Sequence, residues 1–366
     1  MYFKPVLVLL ALTSNAFTGL WFIAILFFSQ RIKKIKSNLS NIFSLSIFIL
    51  LIVCMYISVS SSGFNLSSIS FVMAFILSFC FLWIINSIVC FKELMTIFAI
   101  LTYYFIAVTL VNLFLGYDVK QTSGLFLDRN YFSGIFTLCL ISLIFNILNI
   151  KHFNLMKVLF ILTLLIGIAC LIKIQSRTPV FALIFLMLIY LTFTKFSYTL
   201  IIIAVVSILG LFYVYIFGFN LESRYFNSGT AHQSNYLRLV IFYTAIEIFK
   251  DNFYFGVGPN LFREHSQIVI NSLLSESNLP KLEVGLVSHS TYLQALAELG
   301  FFFTALMSIQ LSFAGFLLFR KKELQKLIFF FYICIISMTM EYLSSPIFIS
   351  ALFANLFYLK DNKNGI

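Results

Sequence analysis

Charged side chains are scarce in this chain, and that shortage limits what the protein can be. They make up 10% of its 366 residues, against 61% for hydrophobic side chains, and the mean hydropathy is +1.03. No water-soluble domain could bury so much apolar surface, which excludes a soluble globular protein. The composition therefore predicts an all-α polytopic membrane protein.

The cysteines exclude two further kinds of site. All six lie inside apolar runs, and none belongs to a Cys-x-x-Cys pair: Cys54, Cys80, Cys90, Cys139, Cys170 and Cys334. This spacing supports neither a disulfide framework nor a zinc site, so we interpret the cysteines as small core residues. We expect neither a metal nor a cofactor.

Apolar runs of roughly 18 residues or more mark the predicted membrane spans. Eleven such helices are predicted, at 5–29, 41–59, 69–90, 94–115, 131–150, 158–175, 178–194, 198–217, 290–318, 327–345 and 346–359. The first run could instead hold two short helices, which would give twelve spans and place the N-terminus inside. Because that run is long and its basic cluster follows it, we expect a retained helix and not a secretory signal.

Basic residues predict the orientation of these helices. Fourteen of them fall on one set of turns: Arg31, Lys33, Lys34, Lys36, Lys92, Lys151, Lys157, Lys195, Arg320, Lys321, Lys322, Lys326, Lys360 and Lys363. Lysine and arginine in short loops stay on the cytoplasmic side, so the turn at 116–130, the corner at 176–179 and a long loop at 218–288 should lie together on the opposite face. The net charge of +11 is then mainly a topology signal, and nucleic-acid binding has little support.

The long loop at 218–288 is the only segment with enough polar residues for chemistry. It separates about eight predicted spans in 1–217 from about three in 289–366. Apolar residues at spacings of three and four predict an amphipathic helix over 234–250, with Ser234 as its cap.

A glycine-rich turn at 255–260 follows that helix. Its glycines, Gly256 and Gly258, permit positive φ or a close approach of the backbone. They are expected either to contact substrate or simply to turn the chain back to the membrane. No third glycine completes a dinucleotide-binding motif.

Four arginines should gather on the outer face, Arg177, Arg224, Arg238 and Arg263, and Arg129 could join them from the shorter outer loop. A guanidinium group suits phosphate because it forms two parallel hydrogen bonds and stays charged at any relevant pH. Arg177 also adjoins a predicted helix start, with Thr178 as cap and Pro179 in first position, so free backbone amides would add to an anion site. Each arginine could instead anchor the protein to lipid headgroups.

His289, one of only four histidines, begins the next predicted helix, which Ser290 or Thr291 could cap. Its imidazole could accept a proton from a hydroxyl group as a general base, or it could be a hydrogen-bonded surface group. Glu298 and Glu341 lie at predicted membrane depth, where charge is costly, so we expect them to face the bundle interior or an aqueous cleft. There they would bind substrate or hold helices together.

The motifs together resemble the bacterial O-antigen ligase and polymerase superfamily. They are Ser-Arg-Thr-Pro at 176–179, Asn-Tyr-Leu-Arg at 235–238, Phe-Gly-Val-Gly at 255–258 and His-Ser-x9-Gly at 289–300. The similarity runs from about residue 170 to about 345. Family patterns often have Ser-Arg-Gly or Thr-Arg-Ala where this chain has Ser-Arg-Thr-Pro, and Phe303 departs from the ligase pattern.

The resemblance implies an inner-membrane glycosyltransferase that works without a metal or a nucleotide sugar. Such an enzyme moves a glycan from undecaprenyl diphosphate to an acceptor sugar at the periplasmic face. By the same resemblance, Arg177 and Arg238 would bind the donor diphosphate, and His289 would activate the acceptor hydroxyl. Arg129, Arg224 and Arg263 remain candidate substrate-binding residues.

We expect a polymerase, which joins lipid-linked repeat units, in preference to a ligase, which passes finished polymer to the lipid A core. A transporter that flips lipid-linked oligosaccharide is the alternative of another class. The expected partners are the lipid-linked donor, the glycan acceptor and the bilayer, with a chain-length regulator and a flippase as further candidates.

Overall fold

The computed structural model describes residues 39–88, 91–116, 129–150, 152, 154–174, 176–194, 230–276, 286–340 and 343–354. Within these ranges the regular secondary structure is entirely helical. The fold is therefore that of an all-α, multi-pass membrane protein, as the composition predicts. The predicted spans at 5–29 and 198–217 lie outside the described residues.

Eleven helices form this described part of the chain. Six precede the long loop: α1 Leu39–Ser62, α2 Leu66–Ile88, α3 Phe91–Phe114, α4 Arg129–Asn149, α5 Leu155–Ile174 and α6 Arg177–Thr194. Two belong to the loop: α7 Thr230–Asp251 and α8 Phe262–Glu276. Three follow it: α9 Thr291–Arg320, α10 Leu324–Ile336 and α11 Pro346–Leu352.

Five of these helices, α1, α3, α4, α5 and α9, are long and apolar enough to cross a membrane. The most buried of the five is α4, which packs between α3 and α5. Its buried hydroxyls do not interrupt the helix, because Thr137 and Ser142 donate hydrogen bonds to carbonyls one turn earlier, at 2.9 Å each.

The start of α6 lies slightly earlier than the sequence predicts. The helix begins at Arg177, so Thr178 and Pro179 are its second and third residues. Proline is tolerated throughout the first turn of a helix, because backbone N–H groups there have no partner within the helix.

Helix α9 is broken at Gly300, a feature that its apolar periodicity does not predict. Gly300 has φ 73° and ψ −167°, a conformation available essentially only to glycine. The break separates a short first segment, 291–299, from a second segment, 301–320, that is long enough to span the bilayer alone.

The predicted continuous span at 327–345 is also interrupted. Helix α10 has 13 residues, or about 20 Å at the usual helical rise, and falls short of a hydrocarbon core about 30 Å thick. The described part of the following segment, 337–340 and 343–345, is not helical and includes buried Ser337, Met340 and Leu343. Irregular backbone is tolerated inside a membrane bundle where protein buries it.

Candidate functional site

The starts of several helices meet on one face of the bundle, which we call the site face. Ser176, just before α6, donates a hydrogen bond of 3.4 Å to the side chain of Asn130 in the first turn of α4. The neighbouring Tyr131 bonds the hydroxyl of Ser345 at 2.8 Å. Arg177 and Arg129 are the first residues of these adjoining helices.

The first residue of α9 is held against the irregular segment after α10. The backbone N–H of Thr291 donates to the carbonyl of Ser337 at 2.9 Å, and its hydroxyl donates to the carbonyl of Met340 at 2.7 Å. These two bonds satisfy polar groups in both elements and fix the start of α9 on the site face.

His289 has a backbone conformation that is uncommon for a residue with a side chain. Its φ is 47°, in the left-handed region. Its neighbours, Ser288 and Ser290, are buried, whereas His289 is exposed. Ser290 caps α9 by accepting from the N–H of Leu293 at 3.4 Å, which confirms one of the two predicted caps. The exposed imidazole is therefore carried by a backbone whose neighbouring residues are buried.

Arg238 and His289 line the same small cavity, of about 120 Å³. Arg238 is exposed on α7, and Met338 and Thr339 of the irregular segment after α10 also line the cavity. Ile241, Phe242 and Leu293 contribute apolar side chains to the lining. The cavity thus combines a permanent positive charge with an imidazole beside a partly apolar surface.

The glycine-rich turn after α7 docks into the break of α9. The N–H of Val257 donates to the carbonyl of Ala297 at 3.1 Å, and the N–H of Gly258 donates to the carbonyl of Glu298 at 2.9 Å. Beyond the break, the N–H of Phe301 donates to the carbonyl of Phe253 at 2.8 Å. Backbone groups that the helix leaves unsatisfied at its break are therefore satisfied by the loop.

Close approach of two backbones explains the glycines at this junction. Gly256 has φ 68°, and a Cβ there would overlap the carbonyl group of Glu298. A Cβ on Gly300 would lie 2.5 Å from the backbone nitrogen of Gly256. The turn therefore shows both features that its glycines permit, positive φ and a close backbone approach. A role in substrate binding stays a prediction for Gly256 and Gly258.

The side chain of Glu298 completes the junction. It is 2% exposed, and its carboxyl oxygens accept from the backbone N–H groups of Asn260 at 2.9 Å and Phe262 at 3.1 Å. Gln294 donates a further bond to it at 3.2 Å. Because Phe262 begins α8, the acidic group also lies at the favourable end of that helix. We call residues 253–262 together with Glu298 and Gly300 the clasp.

The structure does not bring every predicted residue to this cavity. Arg263 is exposed on α8 and is not among the residues that line the cavity. His265, on the same helix, is half-buried; burial lowers its pKa, and the charge of Glu264 partly opposes that effect. Arg224 and Glu341 lie outside the described residues.

The sequence did not nominate three residues that the structure places in this region. Met338 and Thr339 line the cavity, and Gln294 bonds the buried carboxyl group of Glu298. A cluster of hydroxyl groups from Ser337 to Ser345, followed by Pro346, signals the interruption of α10. Polar residues and a proline in an apolar run favour irregular backbone, which could have placed residues 338–339 near the site.

The fold and the site define a class of protein: a multi-pass helical membrane protein whose polar loop docks into a broken span beside a positively charged cavity. A protein-family model described as O-antigen ligase matches residues 162–308. The match includes Arg238, His289 and Gly300, and it confirms the resemblance to the O-antigen ligase and polymerase superfamily. It also supports an enzyme of glycosyltransferase type. A search of curated proteins found no match.

Proposed function

We propose that this protein is a polysaccharide polymerase. It would transfer a glycan from undecaprenyl diphosphate to the acceptor sugar of another lipid-linked repeat unit. The observation that carries this proposal is the shared cavity of Arg238 and His289 inside the segment that matches the family. The chemistry needs a group that binds phosphate and a group that takes a proton, and the cavity has both.

In the proposed reaction the acceptor hydroxyl oxygen attacks the anomeric carbon of the donor sugar. The bond from that carbon to the diphosphate oxygen breaks, and the hydroxyl proton passes to His289. Arg238 pairs with the departing undecaprenyl diphosphate as negative charge builds on it, a form of electrostatic help worth several kcal/mol in enzymes. Attack from the opposite side inverts the anomeric configuration.

The site face is proposed to be periplasmic in an inner-membrane protein. The turn between α9 and α10 carries Arg320, Lys321 and Lys322, and it lies at the opposite end of α9 from His289. Basic turns stay in the cytoplasm, which supports an outward-facing cavity. Arg177, at the start of α6, is proposed to join the diphosphate site there.

Replacing Arg238 by alanine is expected to lower kcat/KM for the lipid-linked donor by about 10- to 1,000-fold, because a charge-assisted contact to the leaving group is lost. Arg238→Lys should recover part of that loss, since a lysine keeps the charge without the planar fork. Initial rates at varied donor concentration measure both effects. Lys250→Ala is the matched control: this exposed cation lies on the same helix, outside the cavity, and its loss should leave kcat/KM unchanged.

A deletion strain separates the polymerase from the ligase, the alternative that the description of the family supports. Loss of a polymerase should leave lipid A core bearing a single repeat unit. Loss of a ligase should leave bare core, with polymer stranded on the prenyl carrier. Gel electrophoresis of the lipopolysaccharide shows which pattern occurs.

A flippase for the same lipid-linked sugars is the alternative of another class. It would move the glycan between leaflets without lengthening it, so the chain length of the lipid-linked product separates the two activities. The position of the charged groups supports an enzyme, because Arg238 lies on a helix of the long loop and His289 precedes the start of α9. Transporter sites are typically formed by discontinuous helices near the bilayer midplane.

A further inference from the structure

The two groups of the cavity lie on different parts of the chain, and the clasp joins those parts. Arg238 is carried by α7, which ends at Asp251. His289 lies two residues before the start of α9. The chain leaving α7 docks onto α9 at Gly300, and Ile241, Ala245 and Ile248 of α7 pack in one apolar cluster with Ala297 of α9. The position of Arg238 relative to His289 therefore depends on this junction as well as on that packing.

The spacing between His289 and the clasp follows from the same arrangement. The first segment of α9, residues 291–299, has nine residues and supplies two of the carbonyls that bond the loop, those of Ala297 and Glu298. Nine residues of helix rise about 13 Å, which sets how far the docking point lies from the imidazole. An insertion or deletion there would also rotate Glu298 away from the loop.

We propose that Glu298 is a positioning residue, whose buried carboxyl group holds the loop in the register that places Arg238 opposite His289. The inference rests on the proposed function. Its basis is the three hydrogen bonds that the carboxyl group accepts, two from backbone N–H groups of the loop and one from Gln294. Backbone pairs align residues 253–258 of the turn with α9, and the carboxyl group extends that alignment to residues 260 and 262 at the start of α8.

Other contacts fix the same junction to the membrane helices. Ser58 of α1 donates to the carbonyl of Glu298 at 3.0 Å, and Ser68 of α2 donates to the carbonyl of Pro259 at 2.7 Å. Both sides of the clasp are thereby tied to the bundle. A change at the carboxyl group would consequently act on the loop at residues 260–262, while α9 stays held by α1.

Direct substrate binding by Glu298 is the competing interpretation. The side chain is 2% exposed and does not line the cavity of Arg238 and His289. Both of its oxygens contact backbone groups of the loop. A substrate-binding role predicts a higher KM on substitution, whereas a positioning role predicts a lower kcat, so the two interpretations separate kinetically.

The Glu298→Gln variant tests the proposal in full-length protein in liposomes. The amide keeps the shape of the side chain but turns an NH₂ group toward one of the two loop N–H groups. We expect kcat for glycan transfer to fall about 10- to 100-fold, with KM for the donor changing less than about threefold. Hydrogen exchange at the amides of Asn260 and Phe262 should become faster. Glu298→Asp, which keeps both oxygens but is shorter, should give a smaller change in the same direction.

Gln310→Leu is the matched control. Gln310 is buried on the same helix and bonds Ser44 of α1 at 3.0 Å, but it lies beyond the break. This variant should lose stability without losing kcat per folded molecule. An unchanged kcat in both Glu298 variants, or a raised KM with unchanged kcat, would overturn the inference. Activity retained in His289→Ala would instead overturn the proposed function.

Discussion

His289→Ala is expected to lower kcat for glycan transfer by about 100- to 10,000-fold, the usual contribution of a general base. The methyl group cannot accept the proton of the attacking hydroxyl, so the nucleophile stays weak. Because His289 is exposed and its buried neighbours hold the backbone, the substitution should leave insertion and folding intact. An alanine at position 289 keeps the same left-handed backbone conformation and introduces no new contact.

The measurement is the rate of product formation by purified protein, normalised to folded protein from size-exclusion chromatography. His265→Ala is the control, because this histidine lies in α8 outside the cavity and burial already lowers its pKa. It should keep near-normal activity. Equal activity of wild-type protein and His289→Ala would remove the imidazole from the mechanism.

Gly300→Ala is expected to disrupt the clasp and to remove most of the activity. The new Cβ would lie 2.5 Å from the backbone nitrogen of Gly256, and backbone on both sides leaves no flexible side chain to move aside. The extended positive-φ conformation of Gly300 costs a residue with a side chain about 1–3 kcal/mol, and steric overlap costs about 1–3 kcal/mol more, so a total of about 2–6 kcal/mol is expected.

Gly63→Ala separates the two causes of that loss. Gly63 has φ 86°, but a Cβ there would meet no heavy atom within 4 Å. Its substitution should cost only the conformational part, about 1–2 kcal/mol, and should leave transfer activity nearly normal. Thermal unfolding in detergent compares the two variants. Equal melting temperatures and equal activities would show that the close approach at Gly300 is unimportant.

Hydrophobic runs predicted the membrane helices well because a span needs only length and apolar composition. The predicted 41–59 and 131–150 correspond to α1 and α4 with small shifts at their ends. The interruption after Ile336 was missed for the same reason. Hydropathy averaged along the sequence contains no information on long-range contacts. It therefore cannot show that the carbonyls of Ser337 and Met340 accept hydrogen bonds from the start of α9.

The site could be predicted only in part. Residue type and order nominated Arg238 and His289, and the structure places both at one cavity. The clasp could not be predicted, because backbone pairing between a turn and a broken helix has no periodicity in sequence. Glu298 shows the difference. The cost of charge in a membrane predicted that it faces the bundle interior or an aqueous cleft, but its partners, Asn260 and Phe262, follow only from the fold.

The clasp also gives a physical reason for the spacing of the family motif in this chain. Nine residues separate Ser290 from Gly300. That length forms a capped helical segment which starts beside the imidazole and ends where the arginine-bearing loop docks. The motif therefore corresponds to a rigid spacer between the proposed base and the proposed anion-binding group.

Transfer of labelled glycan between lipid-linked substrates tests the central claim most directly. Purified protein in liposomes would receive a radiolabelled undecaprenyl-diphosphate glycan as donor and an unlabelled one as acceptor. The account predicts longer labelled lipid-linked product from wild-type protein, and little from Arg238→Ala or His289→Ala. No product from wild-type protein, or equal product from all three, would contradict it.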